Sequence, residues 1–171
     1  MDDERNIVLT GFMGTGKSTV GRLLAKLLDR EWLDTDQMIE SEHGPIPEIF
    51  ATQGEPYFRS LERQVARQLA GRTNLVISTG GGMMLDRQVL DTLDPVCRIF
   101  NLVATPENIL SRIGQHVASQ RPLLADDDPM TRIAELLAER SVGYAEFEMI
   151  VTDDKTAFEV ATQIAKLVTT N

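Results

Sequence analysis

The sequence predicts an α/β domain in three layers, a five-stranded parallel sheet with helices on both faces, and three observations predict it. Short apolar runs alternate with longer stretches of helical periodicity. Most of these runs are apolar at consecutive positions, as strands buried on both sides are. Their carboxyl ends carry the least ordinary segments of the chain, at Gly11, Asp34 and Gly80, and ligands of open parallel sheets gather at that edge. At 171 residues, with 42% hydrophobic and 25% charged residues, the chain suits one well-buried domain spanning 1–171.

In order, Asn6–Thr10 reads as the first strand, because Ile7, Val8 and Leu9 are consecutive and stop at Gly11. A glycine-rich turn follows, then a helix with Val20, Leu23, Leu24 and Leu27 on one face. Glu31–Asp34 is a short second strand, with helical patterns after it over 37–42 and 47–52. A longer helix starts near Pro56. Phe58, Leu61, Val65 and Leu69 form its buried stripe, and Arg59, Glu62, Arg63 and Arg67 are expected off it. Leu75–Ser78 is the third strand, halted by three glycines, and 96–102 is the fourth, with a helix over 107–113 behind it. Asp128 followed by Pro129 signals an N-cap and a first helical residue. A fifth strand over 149–152 leads to a closing helix carrying Ala157, Ala161, Ile164 and Val168. The polar, proline-containing gap at about 114–126 is wide enough for a mobile lid.

A net charge of −9 repels nucleic acid and anionic membranes, and no basic run or basic–aromatic interleaving overrides it. No apolar run reaches the ~18 residues of a membrane span. The acidic start, Met1 to Arg5, has the form of neither a signal nor a transit peptide. The single cysteine, Cys97, excludes an internal disulfide and, set in an apolar strand, is expected buried and inert. His43 and His116 are far apart, with no Cys or acid at zinc spacing. The expectation is a cytoplasmic monomer acting on small molecules. In so acidic a chain, an anionic ligand needs cations gathered in one place, so an Arg near an anion-binding motif is informative.

Gly11-Phe12-Met13-Gly14-Thr15-Gly16-Lys17-Ser18 fits G-x-x-x-x-G-K-[ST] without a mismatch, between a predicted strand and a predicted helix. Such a loop wraps phosphates in backbone N–H groups, and the helix N-terminus adds about half a positive charge. Gly14, Thr15, Gly16 and Thr19 are therefore expected along ATP. Lys17 would reach the β- and γ-phosphates, and Ser18 would ligate Mg²⁺. Asp34-Thr35-Asp36 closes the second strand. Residues two apart in an extended chain point the same way, so both carboxylates are expected to face one site. There they would hold a Mg²⁺-bound water and accept a proton from an attacking hydroxyl. The competing role is a helix N-cap by Thr35 or Asp36.

Arg59 and Glu62, three apart, form either an ordinary surface pair or an anion grip in which Glu62 aims the guanidinium. Gly80, Gly81 and Gly82 exceed what a turn needs and point to close approach of a ligand to backbone, with helix–strand crowding as the alternative. Arg121, in the proposed lid, is placed to close over ATP. Arg140 lies late on the helix begun near Pro129, where a plain interaction with the helix dipole is the alternative.

Taken together, these segments resemble the shikimate kinase family along essentially the whole chain. The likeness runs past the loop through Thr19-Val20-Gly21-Arg22-Leu23-Leu24-Ala25. It continues in the family's order with Asp34-Thr35-Asp36, Glu48-Ile49-Phe50, Gly54-Glu55 with Phe58-Arg59 and Glu62, Gly80-Gly81-Gly82, and Arg121-Pro122-Leu123-Leu124. The resemblance implies a three-layer P-loop fold like that of the nucleoside monophosphate kinases. It implies transfer of the ATP γ-phosphate to the 3-hydroxyl of shikimate, with Mg²⁺, on the route to chorismate and aromatic amino acids.

Carried over by residue, Lys17, Asp36 and Arg121 would be catalytic, and Ser18 would ligate Mg²⁺ with Asp34 supporting it through water. Asp36 would hold the shikimate hydroxyls, within an acceptor-binding region of about 35–62. Arg59 and Arg140 would grip the carboxylate, and Gly80, Gly81 and Gly82 would line the ring. Arg112 would stack on adenine. The family often has a Pro between the late Arg and a Tyr, whereas this chain reads Arg140-Ser141-Val142-Gly143-Tyr144. Gly143 is expected to loosen that helix end. Lys155 lies where some members have a residue near adenine.

Other classes fit less well. A GTPase switch needs N-K-x-D and D-x-x-G motifs, and the sequence has neither. A mechanical ATPase needs an apolar strand ending in a single acid, which the strands at Leu75 and Val96 lack. A binding module without activity should have lost Lys17, Asp36 or Arg59. Gluconate kinase, which also has an acidic pair after its second strand, is the enzyme alternative. The Phe58-Arg59 to Glu62 segment and the triple glycine favour shikimate.

Overall fold

The computed structural model describes residues 5–114 and 128–170. Arg121, His116 and, but for Gly114, the proposed lid lie outside the described residues. The elements are β1 (Asn6–Thr10), α1 (Lys17–Leu28), β2 (Glu31–Asp34), α2 (Thr35–His43), α3 (Ile46–Gln53), α4 (Glu55–Ala70) and β3 (Leu75–Ser78). They continue as α5 (Arg87–Leu93), β4 (Cys97–Val103), α6 (Pro106–Ile113), α7 (Pro129–Tyr144), β5 (Glu148–Val151) and α8 (Ala157–Thr169). Five strands form one sheet in the order β2-β3-β1-β4-β5, every pairing parallel.

The period of two along each strand divides the core between the faces. Val8, Leu75, Ile77, Cys97 and Ile99 pack against α4 and α5, while Ile7, Leu9, Val76, Phe100 and Leu102 pack against α1 and α8. Each fully buried Leu or Ile contributes about 1.5–3 kcal/mol. The central strands carry the continuous apolar runs. The edge strands do not: Glu31 in β2 is exposed, as are Met149 and Val151 in β5. From β1 the chain turns to α1 on one face, and from β3 to α5 on the other. A crevice therefore opens between the carboxyl ends of these two adjacent strands.

Three sequence expectations change. Glu62 does not lie off the apolar stripe of α4. Its side chain is 1% exposed, because Phe58, Leu61, Val65, Ala66 and Leu69 bury a stripe wide enough to include it. The fourth strand begins at Cys97, after a 3₁₀ turn at Asp94–Val96. α5 was not anticipated, although Asp86 caps it by accepting from the Gln88 N–H at 2.9 Å and Val89 and Leu93 are buried four apart. Cys97 is buried as expected, and that burial pushes its thiol up to about 12.

Candidate active site

The loop after β1 turns at Gly11, with φ +132°, where a Cβ would collide with the Leu102 carbonyl oxygen. Gly16, in a left-handed conformation, starts α1 without a side-chain cap, and no acid lies in the first turn. The first-turn N–H groups there, which have no partner within the helix, keep their partial positive charge for an anion. The Lys17 ammonium folds over the loop and donates to the carbonyls of Gly11 and Phe12 at 2.8 and 2.9 Å. The Ser18 hydroxyl donates to Asp34 Oδ2 at 2.7 Å. Thr15 turns inward, its hydroxyl on the Phe12 carbonyl at 2.7 Å.

Two cavities meet along this loop and share Gly14, Gly16 and Thr19. One, of about 280 Å³, is bordered by Lys17, Ser18, Asp34, Asp36, Gly80 and Gly81. The other, of about 310 Å³, is bordered by Thr15, Arg112, Thr152, Lys155 and Val160. Arg112 is braced in its wall by Thr152, through the hydroxyl and the carbonyl, each at 2.8 Å. A larger groove of about 670 Å³ along α8, beside Arg98 and Lys166, holds none of the motif residues.

Asp34 and Asp36 do converge, but not as neighbours on an extended strand. The strand ends at Asp34, which caps α2 by accepting from the Asp36 and Gln37 N–H groups at 3.0 and 3.3 Å. Asp36 is therefore in the first helical turn. The N-cap role expected of Thr35 or Asp36 belongs to Asp34. Asp36 Oδ1 is buried with no hydrogen-bond partner among the described residues. Burial, joined by the charge of Asp34, pushes its carboxyl up to about 6 against the pull of Lys17 and Arg59.

The three glycines after β3 each meet a different charged side chain. A Cβ on Gly80 would lie 2.5 Å from Asp36 Oδ1. One on Gly81 would lie 3.5 Å from Arg140 Nη1, and one on Gly82 3.1 Å from both terminal nitrogens of Arg59. Asp36 thus leaves no room for a side chain at Gly80, Arg59 is tight against Gly82, and a Cβ at Gly81 would make only ordinary contact with Arg140. Arg59 is clamped by Glu62 at 2.7 Å and Glu55 at 3.0 Å, with its guanidinium 5.5 Å from the Phe58 ring. Burial pushes Glu62 up to about 7, against the attraction of Arg59. Arg140 donates to the Gly81 carbonyl at 3.5 Å and lies 5.5 Å from the Phe12 ring.

The Tyr144 hydroxyl also donates to the Gly81 carbonyl, a contact the sequence reading did not anticipate. Tyr144 and Arg140 are one helical turn apart on α7, and that spacing was the available signal. Gly143 does not loosen the helix, which runs through to Tyr144. Instead it makes a notch for Leu85, whose Cδ2 lies 2.5 Å from where a Cβ would be.

A parallel sheet with a phosphate-binding loop after β1, two acids after β2 and a cation-flanked glycine turn after β3 defines a P-loop kinase. A family profile described as shikimate kinase matches residues 13–169. The chain is 43% identical over 162 residues to the shikimate kinase of Geobacter metallireducens, covering 94% of this chain and 89% of that one. It is 44% identical over 165 residues to that of Caldanaerobacter subterraneus, covering 95% of each. It superposes on the shikimate kinase of Acinetobacter baumannii in complex with shikimate with a TM-score of 0.89 and 37% identity, over 98% of this chain and 94% of that one. The chain belongs to the shikimate kinase family. A gluconokinase from Sinorhizobium meliloti, at a TM-score of 0.56 and 15% identity, shares the fold alone.

Proposed function

We propose that the two adjoining cavities seat the two substrates of shikimate kinase, Mg-ATP along the loop and shikimate against the triple-glycine turn. The reaction transfers the γ-phosphate of ATP to the 3-hydroxyl of shikimate, giving shikimate 3-phosphate and ADP on the way to chorismate and aromatic amino acids. The observation that carries this reading is the turn, whose glycines touch Asp36, Arg140 and Arg59 in succession. A carboxylate for hydroxyls and two guanidiniums for a carboxylate match an acceptor that is both polyhydroxylic and anionic.

Gly14, Thr15, Gly16, Lys17, Thr19 and Arg112 hold the nucleotide, and Lys17 neutralises charge growing on the transferring group. Ser18 would ligate Mg²⁺, with Asp34 supporting it through water. Their hard oxygens suit an ion that keeps several waters and relies on substrate phosphates. Mg²⁺ held there supplies positive charge against the β- and γ-phosphates. Asp36 orients the acceptor and takes its hydroxyl proton, a task that a carboxyl near 6 suits at neutral pH. Arg59 and Arg140 grip the carboxylate, beside the backbone of Gly80, Gly81 and Gly82. Arg121 is assigned to the phosphates, from a lid at about 114–126.

The whole chain acts as a single domain and a cytoplasmic monomer, in keeping with its −9 charge and buried thiol. No helix of the described residues is long and apolar enough to cross a membrane. ADP release by the purified protein with Mg-ATP should be fast with shikimate and at background with gluconate. A preference for gluconate would overturn the assignment.

A further inference from the structure

We infer that Ser78 and Trp32 form a relay that positions the nucleotide-binding loop, with Ser78 as the positioning residue and Trp32 as its anchor. The inference rests on the nucleotide reading of that loop. Ser78 ends β3, is 1% exposed, and is in register with Leu9 of β1 and Asp34 of β2. Its hydroxyl accepts the Trp32 indole N–H at 3.1 Å and donates to the Lys17 carbonyl at 3.0 Å. An indole nitrogen can only donate, so the direction of the relay is fixed. The indole fills an acceptor position of Ser78 and leaves its proton for Lys17.

The carbonyl of Lys17 shares a rigid peptide plane with the N–H of Ser18. Holding that oxygen sets the direction of one of the free N–H groups that α1 turns toward an anion. The packing leaves no slack. A Cβ on Gly21 would lie 2.5 Å from Ser78 Oγ and 2.6 Å from Trp32 Nε1, so α1 rests directly on the relay. The Arg22 guanidinium covers the indole at 4.4 Å. Two residues beyond Trp32, Asp34 takes the hydroxyl of Ser18. The start of the nucleotide-binding helix is thus tied to β2 at two points. One of them serves the metal, and the other has no role in the chemistry assigned above.

Trp32 is the sole tryptophan, so emission excited where tyrosine does not absorb observes this relay alone. The full chain is titrated with Mg-ADP by calorimetry and by Trp emission, with shikimate as the control ligand. Mg-ADP should change the emission of the wild type. Ser78→Ala orphans the indole N–H and removes the Ser78 donor from the Lys17 carbonyl. It should weaken Mg-ADP and raise the KM for ATP about fivefold to tenfold, leave the KM for shikimate within about twofold, and erase the emission change. Trp32→Phe keeps a ring without the N–H and should weaken Mg-ADP about twofold to threefold. Unchanged Mg-ADP affinity in both variants would overturn the relay. So would equal losses in both KM values, which mark general loosening, or a silent wild-type emission when calorimetry shows Mg-ADP bound. Absence of Mg-ADP binding to the wild type would sink the nucleotide reading itself, and the relay with it.

Discussion

On the proposed nucleotide side, one unbroken stretch from Gly11 to Ser18 would supply the phosphate cradle, largely with backbone, and Thr19, Arg112 and Arg121 would add to it. On the acceptor side, Asp36, Arg59 and Arg140 come from α2, α4 and α7 and meet only across the glycine turn after β3. On the proposed reading, the first half would recognise phosphate through N–H groups and a helix dipole that do not titrate. The second works through side-chain charge, with Asp36 raised to about 6 and Glu62 to about 7. Binding on the two sides should therefore respond differently to pH and to mutation. The acceptor half should be the fragile one.

The largest expected contrast is chemical. Asp36→Asn keeps the shape but not the proton acceptor, so kcat should fall about 10²–10⁴-fold, while Mg-ADP affinity stays near that of the wild type. In the wild type, kcat/KM for shikimate should fall as pH drops below about 6, where Asp36 protonates. Protonation of Glu62 near 7 loosens the clamp on Arg59 and adds a shallower loss above that. Mg-ADP affinity should be nearly flat across the same range. A parallel acid limb for Mg-ADP would break the division between the halves.

Next in size is Arg59→Lys. An ammonium cannot reproduce the planar, two-pronged grip, so shikimate affinity should drop roughly tenfold to a hundredfold. Wild-type protein should discriminate by a similar margin against the neutral methyl ester of the acceptor, and the variant less. Equal wild-type affinity for acid and ester would reduce Arg59 to a partner of its two glutamates.

Asp36 also has a stability signature of opposite sign to its catalytic one. Its folded pKa, about 6, lies above the ordinary aspartate value of 3.8. Folding therefore carries no penalty below the lower value, gains one as pH rises between the two, and bears all of it above the higher. Asp36→Asn should thus be more stable than the wild type at pH 8, by at most about 3 kcal/mol and less after solvent screening. That advantage should vanish by about pH 4. Thermal melts at the two pH values check it, and an advantage that grew on acidification would refute the burial of Asp36.

How much of this was legible in the sequence follows from distance along the chain. The loop could be read outright because its glycines, Lys17 and Ser18 act within one turn of chain. The sheet could be read because Ile7 to Leu9 and Leu75 to Ile77 announce strands buried on both faces. Asp34 and Asp36 were found with the wrong geometry, since a helix starting at Thr35 brings them together as well as a strand would. The burial of Glu62 was missed because a charged residue at a stripe position is decided by what packs over it. Arg140 and Tyr144 reach Gly81 across 59 and 63 residues; their one-turn spacing says that they share a face of α7, not what that face meets.

The smallest effect tests whether packing alone can tune the acceptor half. Ala in place of Gly inside a helix is worth about 0.5–1 kcal/mol, so Gly143→Ala would ordinarily stabilise α7. Here the new Cβ would meet Leu85 Cδ2 at 2.5 Å, and the tip of that partly exposed side chain must shift. Leu85 donates its N–H to the Gly82 carbonyl at 3.1 Å, so its displacement pulls on the glycine turn that Arg59 and Arg140 flank. The helical gain and the packing loss should nearly offset, leaving stability within about 0.5 kcal/mol of the wild type. The KM for shikimate should rise about twofold to fivefold, with the KM for ATP unchanged. Adding Leu85→Ala removes the collision, so the double variant should recover the shikimate KM and reveal the helical gain as a higher Tm than that of Leu85→Ala alone. A higher Tm for Gly143→Ala with no change in either KM would mean that the notch is slack. A matching rise in the KM for ATP would mean that the two halves move as one, and the contrast between them would fail at its most sensitive point.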